Sequence, residues 1–122
     1  MKEAKRLIKS FRDAGKGLKY VFLHERNFRI QLLMAILVLV LTFVFELKQF
    51  EVIVILMLVV LVLILEFLNS ALEKFVDILK PRLHYQVEVV KDIMAAMVLL
   101  ASVGAMVVGT IIFWPHVYEL FL

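Results

Sequence analysis

The reading of this chain turns on residues 52–77. VIVILMLVVLVLIL fills 52–65 and is followed at once by Glu66-Phe67-Leu68-Asn69-Ser70-Ala71-Leu72-Glu73-Lys74-Phe75-Val76-Asp77. A helix turns about 100° per residue, so Glu66, Asn69, Ser70, Glu73 and Asp77 fall within roughly a 100° arc. Phe67, Leu68, Leu72, Phe75 and Val76 fill most of the remainder. Three acids, an amide and a hydroxyl thus share one stripe of a helix that emerges from a membrane-length hydrocarbon run. Ionisable groups at membrane depth are costly, so they face protein or water and mark a working site.

The rest of the chain fits a membrane setting. Of 122 residues, 64% are hydrophobic, and the mean hydropathy is +1.00. A soluble domain is closer to half apolar. The composition predicts a single all-α integral membrane domain over residues 1–122, with an N-terminal amphipathic surface helix (3–23) and three transmembrane helices at about 28–47, 50–78 and 91–114. The apolar runs that define the spans are Ile30–Phe45, Val52 to about Val76, and Ile93–Trp114. The charged N-terminus has no small-residue cleavage site after its first apolar run, so no cleavable signal peptide is expected. Cysteine is absent, which excludes disulfides and thiolate-bound metals.

Charge predicts the topology. Nine of the fourteen Lys and Arg precede Gln31: Lys2, Lys5, Arg6, Lys9, Arg12, Lys16, Lys19, Arg26 and Arg29. Lys74, Lys80, Arg82 and Lys91 surround the connection after the second span, whereas the connection after the first has only Lys48, and the C-terminal tail has none. The positive-inside rule places the N-terminus and second connection in the cytoplasm, and the first connection and C-terminus outside. The basic excess reads as attraction to anionic headgroups or phosphates, with nucleic acid a poor second.

Leu7, Ile8, Phe11, Ala14, Leu18, Val21 and Phe22 recur at helical spacing in residues 3–23, the pattern of a helix lying in the interface. Gly15-Lys16-Gly17 is expected to interrupt it, and lacks the longer Gly-rich run of a Walker loop. His24-Glu25-Arg26-Asn27-Phe28-Arg29 reads either as a charged collar at the membrane surface or as part of a site. Phe43, Phe45, Phe50, Phe113, Trp114 and Tyr118 read as interfacial anchors. Pro115 is expected to stop the third span. Ala95, Ala96, Ala101, Ser102, Gly104, Ala105 and Gly109 offer small faces for close helix contact.

Depth then suggests chemistry. Glu66 lies about 20 Å into the second span from its outer end, and Glu73 about 10 Å further, near the cytoplasmic surface. Glu25 and Lys91-Asp92 enter the first and third spans at the same level. Carboxylates without cysteine suit Mg²⁺ rather than zinc. A Lys beside them suits phosphate. Together they point to phosphoryl transfer at the membrane surface.

At these residues the chain resembles the prokaryotic diacylglycerol kinase family, the small three-span lipid kinases. The carrying motif is Glu66 to Asp77, similar to the family's second-span signature of acid, two apolar residues, Asn, Ser or Thr, Ala, an apolar residue, Glu, and then an apolar-Asp pair. Gly17, Glu25, His84 and Lys91-Asp92 also fit, so the resemblance covers almost the whole chain. It implies that Glu66 is the catalytic base for the lipid hydroxyl and that Asn69 supports the reacting groups. It implies that Glu25 and Glu73 hold the Mg²⁺ that comes with ATP. Lys91 and Asp92 would contact the nucleotide, and Asp77, His84 and Arg6 would fall on its side. It further implies a homotrimer with active sites shared between neighbouring chains. Glu25-Arg26-Asn27-Phe28 and Gly109-Thr110-Ile111-Ile112-Phe113-Trp114-Pro115 are more similar to the undecaprenol kinase branch than to the diacylglycerol kinases. Two features depart from the pattern: Ile93-Met94 stands where small residues usually follow the Lys-Asp pair, and Asp13 stands where another branch carries an aromatic.

Two other classes compete. A small oligomeric transporter would use Glu66 as a proton or cation site, and would place charge near the bilayer midplane. A membrane scaffold without chemistry gives no reason to bury Glu66.

Overall fold

The computed structural model describes residues 1–79 and 84–122, with the backbone alone at residue 84. Lys80, Arg82 and the His84 side chain therefore lie outside the described residues. Four helices follow one another: α1 (Lys2–His24), α2 (Arg26–Val44), α3 (Gln49–Leu79) and α4 (His84–Phe121). The last three are long and apolar enough to cross a membrane, and the chain is a multi-pass membrane protein. At 1.5 Å per residue, the 31 residues of α3 extend about 46 Å, well beyond a hydrocarbon core of about 30 Å. Its final turns therefore stand clear of the bilayer core while the rest spans it.

α3 packs against both α2 and α4. Its buried face is written in the spacing of Ile55, Val62, Glu66 and Ser70, a seven- and four-residue recurrence that keeps one side of the helix inward. This face is hydrocarbon in its N-terminal half and carries Glu66 and Ser70 in its C-terminal half. α4 meets it along a seam of alternating four- and three-residue steps: Val87, Lys91, Met94, Val98, Ala101 and Ala105 are all buried or half-buried. Phe28 of α2 packs edge-on against Phe67 of α3, with ring centres 4.9 Å apart. Gln31 Nε2 donates to Ser102 Oγ at 3.2 Å, joining α2 to α4 within the membrane; such polar links strengthen helix pairing where lipid supplies no hydrophobic drive.

Helix ends depart from the sequence expectations at four places. α1 runs unbroken through Gly15 and Gly17, because both keep helical backbone angles and glycine costs a helix only about 1 kcal/mol per residue. α2 stops at Val44, short of residue 47. Glu46 takes a left-handed φ of 50°, Leu47 N–H donates to Thr42 O and Glu46 N–H to Phe43 O, and Leu47 is buried. This pattern closes a helix with a left-handed residue and an apolar one after it. α4 starts at His84, seven residues before the expected 91, and continues through Pro115 to Phe121. Proline there removes one backbone donor near the helix end, and His116 in the next position is held against Glu51 of α3.

The side chains also sort the other expectations. Phe43, Phe50, Trp114 and Tyr118 are exposed, as anchors would be, whereas Phe45 packs on Phe113 at 6.0 Å. Ala101, Ser102, Ala105 and Gly109 are half-buried, and Ala95, Ala96 and Gly104 are exposed within a single chain.

Candidate active site

Glu25 is the corner of the molecule. It is the one extended residue between α1 and α2, at φ −113° and ψ 106°. Its N–H closes α1 on Val21 O, and its carbonyl accepts the first bond of α2 from Arg29 N–H. The side chain makes no capping bond, so the carboxylate is not spent on the helix terminus. Arg29 Nη1 donates to Phe22 O at 2.8 Å and Leu23 O at 3.2 Å, satisfying carbonyls that α1 leaves open. The collar therefore divides: Arg29 bonds the carbonyls of α1, and the Glu25 side chain caps neither helix.

The acidic stripe of α3 climbs from buried to exposed. Glu66 is 2% exposed; Asn69 and Glu73 are half-buried, and Asp77 is exposed. Among the described residues Glu66 makes no hydrogen bond or ion pair. The charges that bear on it are those of Glu25 and Glu73. Two carboxylates from two parts of the chain thus act on Glu66, and like charges repel unless a cation joins them. No ion pair to Glu25, Glu66 or Glu73 occurs among the described residues, and no set of three His, Asp or Glu there closes a metal site by itself. Carboxylates of this kind fit a hard divalent cation that keeps other oxygen ligands, such as Mg²⁺ carried on a polyphosphate. One turn beyond Glu66, Ser70 Oγ is buried with no hydrogen-bond partner.

Lys91 of α4 reaches the same level. Its Nζ lies 2.9 Å from Asp77 Oδ1, and Glu73 and Glu88 are the other charges that act on it. Glu73 therefore acts on both Glu66 and Lys91. Met94, one turn along the α4 seam from Lys91, is 4% exposed, while Ile93 is exposed; the bulky pair that replaces small residues is accommodated by burying one and turning the other outward. Asp92 is exposed and forms no ion pair among the described residues. Arg6 lies on the exposed α1, 19 residues before Glu25, with no hydrogen bond or ion pair from its guanidinium among the described residues.

Sequence reasoning missed the Lys91–Asp77 pair and a second contact. Lys74 Nζ donates to Tyr20 OH at 2.8 Å, tying α1 to α3, and Tyr20 stacks on His24 at 4.2 Å. The available signal was a phenol off the apolar stripe of α1. Just outward of Glu66, Val62 and Leu63 line a cavity of about 510 Å³ between α2, α3 and α4, which is almost wholly apolar.

Comparison with known proteins gives the family. The family model for prokaryotic diacylglycerol kinase matches residues 12–113. A diacylglycerol kinase of Synechocystis sp. is 35% identical over 96% of this chain and 67% of its own length. An undecaprenol kinase of Bacillus subtilis is 34% identical over 93% of this chain and 92% of its own. A diacylglycerol kinase of Escherichia coli is 31% identical, covering 91% of both. With three apolar spans, a polar stripe at one depth and a match over most of its length, this chain belongs to the prokaryotic diacylglycerol kinase family.

Proposed function

We propose that this chain is an ATP- and Mg²⁺-dependent lipid kinase that transfers the γ-phosphoryl group to the hydroxyl of a membrane lipid alcohol, with undecaprenol as the preferred acceptor. The observation that carries the reading is Glu66: a buried carboxylate with no hydrogen bond or ion pair among the described residues, flanked by two further carboxylates. A general base must be able to take a proton, and Glu66 is not engaged elsewhere.

In this reading the lipid hydroxyl gives its proton to the Glu66 carboxylate as its oxygen attacks the γ-phosphorus. The bond from that phosphorus to the β–γ bridging oxygen breaks, and ADP leaves. Glu25 and Glu73 would hold the Mg²⁺ that accompanies the nucleotide, and the ion would neutralise charge on the phosphates. Lys91 supplies a cation to the phosphates, exchanging Asp77 for them. Asn69 orients the reacting hydroxyl. Asp92, Asp77, His84 and Arg6 belong to the nucleotide side. The apolar cavity beside Val62 and Leu63 gives the acceptor's hydrocarbon a place next to the base.

The setting follows from the same argument. α1 lies along the cytoplasmic surface of a bacterial plasma membrane, where its lysines meet anionic headgroups. The N-terminus is cytoplasmic and the C-terminus outside. The working unit is a homotrimer with sites between neighbouring chains, which also offers partners to the exposed small residues Ala95, Ala96 and Gly104. No nucleic acid takes part.

Undecaprenol is favoured by the residues around Glu25 and Gly109, and the Bacillus subtilis relative is named an undecaprenol kinase. Diacylglycerol, giving phosphatidic acid, is the alternative acceptor, supported by the names of the other two relatives. Purified protein in mixed micelles with ATP and Mg²⁺ should phosphorylate undecaprenol with a higher kcat/KM than diacylglycerol under identical conditions; the reverse order would assign the second lipid. The transporter reading gains nothing from the spans, since the polar groups gather at one level.

A further inference from the structure

α1 is exposed along its whole length except at Val21, and two polar contacts fix its end. Arg29 closes its last carbonyls from α2. Tyr20 is reached by Lys74 from α3. The Lys74 ammonium is 2.8 Å from the hydroxyl but 5.1 Å from the ring centre. It therefore lies off the hydroxyl end of the ring rather than above the face, and the hydrogen bond carries the contact. The Tyr20 ring is itself braced, stacked on His24, whose Nδ1 lies 2.9 Å from Tyr20 O. His24 directly precedes Glu25, and Lys74 directly follows Glu73. The tie thus joins the neighbours of the two carboxylates assigned to Mg²⁺. Three residues further on, Asp77 meets Lys91, so a polar belt crosses α1, α3 and α4 at one level.

We propose that Tyr20 and Lys74 are positioning residues: the hydroxyl–ammonium tie clamps α1 to α3 and so fixes the separation of Glu25 from Glu73 for the metal–nucleotide complex. This rests on the kinase reading. Neither side chain touches the substrates. Breaking the tie lets α1 swing about Glu25, the single extended residue at the corner, and widens the spread of carboxylate positions that Mg²⁺ must select from. Lipid binding, set by α2, α3 and α4, is untouched.

The test compares Tyr20→Phe, Lys74→Met and the double variant with the parent chain in the same micelles. Tyr20→Phe keeps the ring and its stacking, and removes only the hydroxyl. The KM for MgATP should rise roughly three- to tenfold, the range of one ordinary net hydrogen bond. The KM for the lipid and kcat should change less than twofold. The double variant should be no worse than either single, because both remove one contact, and Lys74→Arg should restore most of the parent value. The chain has no cysteine, so labels at Lys16→Cys and Ile78→Cys, in chains diluted with unlabelled copies, report the α1–α3 distance by pulsed spin resonance. That distribution should broaden in Tyr20→Phe without any turnover being measured. An unchanged distribution, an unchanged KM for MgATP, or an equal rise in both KM values would each overturn the proposal. If the parent chain transfers no phosphoryl group, the kinase reading fails separately. The distance distribution and Mn²⁺·ATP binding then decide the tie, and binding indifferent to Tyr20→Phe would refute it.

Discussion

α3 carries two carboxylates fifteen residues apart in opposite circumstances. Glu51, at its outer end, is fully engaged: its Oε1 accepts from Lys48 N–H at 3.0 Å and lies 3.4 Å from His116 Nε2 of α4. It caps the helix that contains it and joins that helix to α4. Glu66 is far more buried, yet no donor meets it among the described residues, and its charged neighbours are two more acids. A carboxylate that completes a network inside its own chain has a structural task. A buried one left without a donor is open to a partner from outside, which in the proposed function is the lipid hydroxyl. The outer end of α3 is therefore expected to govern stability, and the inner end turnover.

Outside Glu66, the largest loss is expected at the acid that shares its site. Glu73→Gln should lower kcat/KM for MgATP about 100-fold, the scale of a lost electrostatic partner in phosphoryl transfer, with raised Mg²⁺ demand in initial-rate assays. An unaltered Mg²⁺ dependence would remove Glu73 from the metal. Lys91→Met comes next. It should raise the KM for MgATP about tenfold, while Asp77→Asn, which releases the lysine, should cost threefold or less. Equal losses from both would mean that the Lys91–Asp77 pair serves packing of α4 on α3 alone.

The outer end predicts the opposite pattern. Glu51→Ala should lower unfolding free energy by about 1–2 kcal/mol, through the lost cap and the lost His116 contact. Lipid phosphorylation at a temperature where the protein stays folded should fall less than threefold. Smallest is Glu46→Gly: relieving a left-handed φ of 50° should stabilise by up to about 1 kcal/mol. Both are read from unfolding midpoints in mixed dodecyl sulfate micelles. A turnover defect in either variant, without loss of fold, would erase the division between the two ends.

How much of this was written in the sequence depends on the range of the interaction. The α3 stripe was legible because acids inside a hydrocarbon run have few tolerable surroundings, and helical spacing places them on one face. That Glu25 and Glu73 act on Glu66 was legible as a shared depth. Helix ends were not: Glu46 shows no sequence sign of a left-handed turn, and Pro115 stops a helix only where no neighbour holds the next turn, as Glu51 holds His116. The Lys91–Asp77 pair and the Tyr20–Lys74 tie were hidden for another reason. Long side chains choose partners by how α4 and α1 lie against α3, and no local spacing encodes that.

The central claim is that Glu66 acts as the base and not as scaffold. Its most direct test is Glu66→Gln, measured for turnover and for equilibrium MgATP binding in the same micelles. Lipid phosphate formation is expected to fall by about 10²–10⁴-fold, the usual contribution of a positioned base, with MgATP affinity within threefold of the parent. A Glu66→Gln protein that phosphorylates lipid at the parent rate would contradict the account.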